Sequence, residues 1–168
     1  MRRKLTIAVV ATVALAAAAV GLASAQSTSS SSKAAATQTI KLFAVTVQQA
    51  EIDVGTPGFG LGDQFVFSDD LSAQKGSEKI GFDGGVCTIV RLDDHGNTAT
   101  NQCVATASLH EGQIAIQGLV TFAGEEGPGT FVLPITGGSG AYKNARGQVT
   151  VETLSETESN LTFEIIGG

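Results

Sequence analysis

The sequence predicts an all-β chain of about eight antiparallel strands, folded as a barrel or a sandwich. Three observations carry the prediction. Eight runs are rich in Val, Ile, Thr and Phe; Gly, Asp, Asn or Pro separates them; and no stretch keeps a helical period. A barrel of about eight strands leaves an interior wide enough for one small ligand.

The first run, IKLFAVTVQQAEI from Ile40, gives way to the turn-forming stretch VGTPGFG. GDQFVFSDDL follows and ends at the polar SAQKGSE. KIGFDGGVCTIVRL and TNQCVATASL flank DDHGN, the plainest hairpin signal in the chain. GQIAIQGLVTF, residues 112–122, alternates at period two. GTFVLPI runs into TGGSG, and GQVTVETL and NLTFEII complete the set. The separating residues are those that accept turn geometry, so each boundary has a backbone cause.

Three basic residues, Arg2, Arg3 and Lys4, precede an apolar run over 5–22 and the small residues Ala23-Ser24-Ala25. This order predicts a secretory signal peptide over 1–25. A membrane anchor competes, because the run approaches the ~18 residues of a spanning helix. The run's Ala and Val content and its cleavage site favour the leader, and the absence of a following Cys argues against lipoprotein anchoring. Residues 26–38, QSTSSSSKAAATQ, are too poor in apolar side chains to fold and predict a disordered linker. The barrel domain then spans 39–168.

Without the leader, seven basic residues remain against sixteen acidic ones, a net charge of −9. A nucleic acid or a stable anionic-membrane partner needs a basic face, so both are excluded. The expected location is secreted.

Cys87 and Cys103 each stand eight residues from His95, so a turn centred there places them directly opposite. Opposed residues have Cβ atoms ~4.5–5.5 Å apart, close to disulfide geometry. Two readings stand: a cross-strand disulfide, favoured by an oxidising compartment, or a free Cys87 thiol lining a pocket.

Several chemistries find no support. ITGGSGAYKNARG, residues 135–147, is glycine-rich, but Lys143 is followed by Asn144 and then by a strand, unlike a phosphate loop. Ala141 stands where a nucleophile elbow needs its last Gly. His95 and His110 are isolated, so no metal site is expected. Asp69-Asp70, Asp93-Asp94 and Glu125-Glu126 adjoin predicted turns, where solvated acids are the default reading. Asn160-Leu161-Thr162 is a glycosylation sequon.

In GLGDQFVFSDDL, IGFDGGVC, IAIQGLVTF and ITGGSGAYKNARGQV the chain resembles the allene oxide cyclase barrel family, whose fold plant dirigent proteins share. The likeness runs from about Thr46 to Phe163 with its segments in order. It implies the eight-stranded barrel, an apolar cavity for a small organic ligand, no cofactor and, commonly, a homotrimer.

The resemblance places Gln48 where the cyclases carry a Glu that approaches substrate, Asp69 where they carry an Asn, and Cys87 at a pocket cysteine. Thr56-Pro57 falls on a Ser-Pro pair that helps hold a water. Loss of the Glu removes an anion that would steady a developing allylic cation, which argues against true allene oxide cyclase activity. Ala145-Arg146-Gly147 instead resembles the ARG motif of dirigent proteins, whose Arg lies at the cavity and acts with aspartates on quinone-methide or radical-derived phenolic substrates. The resemblance thus implies catalytic roles for Asp69 and Arg146. The pocket would be lined by Gln48, Pro57, Phe65, Phe67, Val86 and Cys87. For Arg146 a surface or intersubunit salt bridge competes. The expected function is steering the cyclisation or coupling of an apolar or aromatic small molecule; the alternatives are a non-catalytic carrier and a scaffold with a filled core.

Overall fold

The structure, a computed structural model, describes residues 37–94, 98–123 and 129–166. The expected leader, the linker up to residue 36, His95 and the pair Glu125-Glu126 lie outside the described residues. Eight strands follow in order: β1 Thr37–Ile52, β2 Gln64–Ser72, β3 Lys79–Leu92, β4 Thr98–Leu109, β5 Gly112–Ala123, β6 Thr130–Gly138, β7 Arg146–Thr153 and β8 Glu158–Ile166. Each pairs antiparallel with the next, and β8 pairs with β1, so the sheet closes into a barrel. Closure removes the unpaired edges that an open sheet would expose.

Alternation along each strand sorts the side chains. Leu42, Leu71, Ile114, Val149, Phe163 and Ile165 point inward and are at most 4% exposed. Their outward neighbours include Ile80, Phe82, Val104 and Leu119, all 44% exposed or more. The packed residues run through the interior, from Tyr142 and Ala145 at one end to Ile89, Ala99 and Val120 on β3 to β5 at the other. A single 3-10 turn, Gly140–Tyr142, crosses the first of these ends, with Tyr142 and Ala145 joining the core. The Tyr142 N–H donates to the Ser139 carbonyl at 3.0 Å and the Ala141 N–H to the Glu111 carbonyl at 2.9 Å, which ties the cap to the β4–β5 turn.

The glycines of ITGGSGAYKNARG serve this closure. Gly140 has φ +61°, and a Cβ there would stand 2.3 Å from the Glu111 carbonyl oxygen. Gly147 has φ +127°, and its Cβ would stand 2.0 Å from the Glu164 oxygen. Both positions need a residue without a side chain.

Cys87 and Cys103 are opposed and disulfide-bonded, with Cα atoms 4.0 Å apart. The free-thiol reading is thereby settled in favour of the bridge. Nearer the turn the register slips by one between Ile89 and Arg91, so the hairpin is symmetric about residue 95 only as far as Ile89↔Asn101.

Two stability outcomes are expected. Gly147→Ala should lower the unfolding free energy by about 2 kcal/mol or more, read as a lower urea midpoint. The double variant Cys87→Ala/Cys103→Ala opens a loop with a sequence separation of 16. It should lose about 3 kcal/mol, whereas an unchanged midpoint would contradict a constraining bridge.

Candidate functional site

The barrel's inner wall on β1 to β5 is built in rows of directly paired residues. The deepest row that carries polar groups is Thr46, Asp69, Asp83, Ala107 and Ile114. One step along the strands lies Gln49, Phe67, Gly85, Ala105 and Ile116. The next step holds Glu51, Phe65, Cys87, Cys103 and Gly118. Below the acids, Ala44, Leu71 and Gly81 lead into the packed end. At the other end Phe65, although inward, is 37% exposed, and Gln49 and Glu51 are exposed, so the wall is accessible on its β1–β2 side, while Ile89, Asn101 and Val120 are buried on β3 to β5. The Phe65 and Phe67 rings stack with centroids 5.9 Å apart and planes within 18°. They form an aromatic slope that leads from the open end down to the acids.

Asp69 and Asp83 are the chemically distinctive pair. They face each other across β2 and β3, Asp83 is only 5% exposed, and the Oδ1 of each is buried without a hydrogen-bond partner. Burial, reinforced by the neighbouring Asp69 carboxylate, pushes Asp83 up to about 8. Burial raises Asp69 as well, against the opposing influence of the Thr46 hydroxyl and the Asp83 carboxyl beside it. Near neutral pH the pair therefore retains a proton, chiefly on Asp83. Gly81 and Gly85, two residues to either side of Asp83 on the same inward face, place no side chain against its carboxyl group.

The inward wall carries Asp69, Phe65, Phe67 and Cys87 together. Asp69 is a mid-strand residue rather than a turn acid; its neighbour Asp70 points outward and pairs with Lys79. Three expectations are corrected. Gln48 is exposed on the outer face, because a bulge between Thr46 and Gln48 adds a residue and reverses the alternation. Val86 also faces outward, opposite Val104, since it adjoins inward Cys87 on one strand. Arg146 opens β7 at the capped end, exposed and on the outer face opposite Ile166, with its guanidinium donating to the Ala145 carbonyl at 2.7 Å. The acid Asp69 meets is Asp83, not Arg146.

Pro57 sits in the connection between β1 and β2, which ends beside the open end of the wall. Asp63 shapes this loop by accepting the Val54 N–H at 2.9 Å and the Gly60 N–H at 2.8 Å. The loop presents Phe59 and Leu61 to solvent, 63% and 60% exposed, around a shallow depression of about 390 Å³.

Two polar residues escaped the reading of the sequence. Asp83 could have been found by hairpin arithmetic: a turn centred on Gly76 sets residues 69 and 83 opposite, as it does 65 and 87. Asn101, 5% exposed with an unpartnered Nδ2, faces inward between Ile89 and Val120, and nothing in its segment signalled it. Among the described residues no group of His, Cys, Asp and Glu is arranged to hold a metal ion.

The closed eight-stranded barrel defines a class of small barrels, and comparison places the chain within it. The allene oxide cyclase barrel like domain model matches residues 43–165, and the chain belongs to that family. Among solved structures, a pyocyanin demethylase is similar at 30% identity, covering 76% of this chain and 99% of that one with a TM-score of 0.64. A Diels-Alderase from Streptomyces koyangensis is 14% identical over 82% of this chain and 72% of its own, TM-score 0.60. A pterocarpan synthase dirigent protein is 15% identical over 80% and 85%, TM-score 0.58. The last two share the fold. No curated protein sequence matches significantly.

The acid pair makes stability depend on pH in a definite sense. Asp83 rises on folding from 3.8 to about 8, so the native state binds its proton more tightly than the unfolded chain. The resulting stabilisation is complete below the lower value and is lost as pH climbs to the upper one. Thermal melts of the wild type should therefore fall across this window relative to those of Asp83→Asn, by on the order of 1 kcal/mol per pH unit. Parallel pH profiles for the two proteins would show that Asp83 titrates normally.

Proposed function

We propose that this barrel binds an apolar or aromatic small molecule at its open end and steers a cyclisation or coupling by shape and by proton transfer from the Asp69–Asp83 pair. The observation that carries the reading is the buried, partly unpartnered pair at the foot of the Phe65–Phe67 stack. A ring laid on the two phenyl faces brings one edge to the acids. A carboxylic acid held protonated near neutral pH is suited to general-acid work.

Acting on a quinone methide, Asp83 donates its proton to the carbonyl oxygen and leaves the exocyclic carbon electron-poor. A hydroxyl of the same molecule adds to that carbon, forming the C–O bond, and its proton passes to the carboxylate pair. The pair thus ends with the proton count it began with, and no electron is transferred. The barrel's share of the rate is mainly orientation, since holding one reactive conformer removes entropy from the barrier. The chemistry is assigned to Asp69 and Asp83; Arg146, on the outer face, is left out of it. No cofactor enters the scheme.

Export and self-association belong to the same reading. The disulfide and the leader-like N-terminus support an oxidising destination. Exposed Val104 and Leu119, with outward Val86, give the outer wall an apolar band suited to a homotrimer.

The test is product analysis with a racemising phenolic quinone methide. Asp83→Asn and Asp69→Asn should lose stereocontrol by about tenfold or more while keeping the disulfide and the β-sheet circular dichroism, and Arg146→Ala should retain it. Wild-type product ratios in both Asp variants would overturn the acid role. A ligand that co-purifies and is released unchanged would favour a carrier.

A further inference from the structure

The Asp69–Asp83 pair is surrounded by groups that cannot balance a second negative charge. Asp69 Oδ1 and Asp83 Oδ1 are shut off from solvent, and the two carboxyl groups and the Thr46 hydroxyl are one another's neighbours. Every described Lys and Arg is exposed, so none reaches the interior. The other six strands turn Thr46, Ala107, Ile114, Ile135, Val149 and Phe163 inward, and none of these titrates. Two further titratable groups border the interior. The Tyr142 hydroxyl turns to Glu111 at the capped end, and Glu51 is exposed at the rim. Asp70 points outward, yet its charge also opposes ionisation of Asp69. Loss of the retained proton therefore sets two buried negative charges face to face with no cation to offset them.

Relief of that repulsion has a direction. On one side β3 is stapled to β4 by Cys87–Cys103, on the same face as Asp83. On the other side β2 carries Asp69 and has no such staple. Its ladder to β1 is interrupted by the bulge between Thr46 and Gln48, and Thr46 is the residue opposite Asp69. Its ladder to β3 sets Phe67 and Ser68 against Gly85 and Gly84, which offer no side chain to pack on. We propose that the acid pair is a pH-operated latch: while it keeps a proton it holds β2 against β3, and when that proton leaves, β2 parts from the barrel and carries Asp69 to water. The latch goes beyond the ligand reading above and does not depend on it. Opening returns Asp83 from about 8 to its ordinary 3.8. The open form thus gains as pH rises between these values and gains nothing more above them.

The experiment is amide hydrogen exchange on the full chain, read by mass spectrometry across the pH range and corrected for the intrinsic exchange rate. Peptides from β2, residues 64–72, should lose protection by up to about tenfold per pH unit between about pH 5 and 7, then level off above about pH 8. Peptides from β4 and β5, residues 98–109 and 112–123, should keep a flat profile. Asp83→Asn should flatten the β2 profile. In Cys87→Ala/Cys103→Ala the loss should spread into β4, because β3 is then free to part from either neighbour.

A β2 profile independent of pH in the wild type would overturn the latch. Equal slopes in β2, β4 and β5 would show that the barrel opens as a whole and would overturn the direction assigned to it. A slope that survives in Asp83→Asn would remove the acid pair as its cause. The comparison between strands of the wild type needs no variant, so a variant that fails to fold does not shield the inference. The ligand reading is judged separately, by product analysis.

Discussion

Strand β3 pairs with β2 on one side and β4 on the other, and the register of those two ladders decides what the barrel contains. Its inward residues are Gly81, Asp83, Gly85, Cys87 and Ile89. Because side chains alternate with period two, a slip of one residue would turn Asp83 to solvent and part Cys87 from Cys103. The disulfide locks the β3–β4 register four residues from Asp83 on the same face. A covalent staple thus fixes the level of the acid deeper in, and Gly81 and Gly85 on either side of it allow the close approach of β4, where a Cβ would stand 2.4 Å from the Ser108 oxygen and 2.5 Å from the Val104 oxygen.

The barrel divides its interior between two tasks. At the capped end, Phe163, Leu71, Ile114 and Val149 are essentially fully buried and supply the cohesion. At the open end the same wall carries two facing carboxyl groups, an aromatic stack and an internal disulfide. Burying facing acids is unfavourable, and the shared proton is the cheapest way to do it.

Much of this was legible before any coordinates. The eight strands followed from β-branched runs and turn residues, because a strand's pattern is local and its breakers are local too. The opposed cysteines followed from counting outward from one turn. The segments that resemble the allene oxide cyclase barrel gave the closure. Among the site residues, Phe65, Phe67 and Cys87 share an inward face by simple alternation from Asp69 across one hairpin. Gln48 did not follow, since a single extra residue after Thr46 inverts the face and no residue type announces it. Arg146 was misplaced for a related reason: a motif names a residue, while the strand's phase decides which side it serves, and Gly147 takes the inward position.

The sequence by itself determined the class of fold, the strand boundaries to within a few residues, the opposition of the cysteines and the acidity of the chain. These depend on neighbours close along the backbone, or on composition. Which acid meets Asp69, which of two adjacent residues looks inward, and which end of the barrel is capped were decided by the tertiary structure. Each of these depends on the registers of all eight ladders together, and a bulge of one residue in one strand is enough to change the answer.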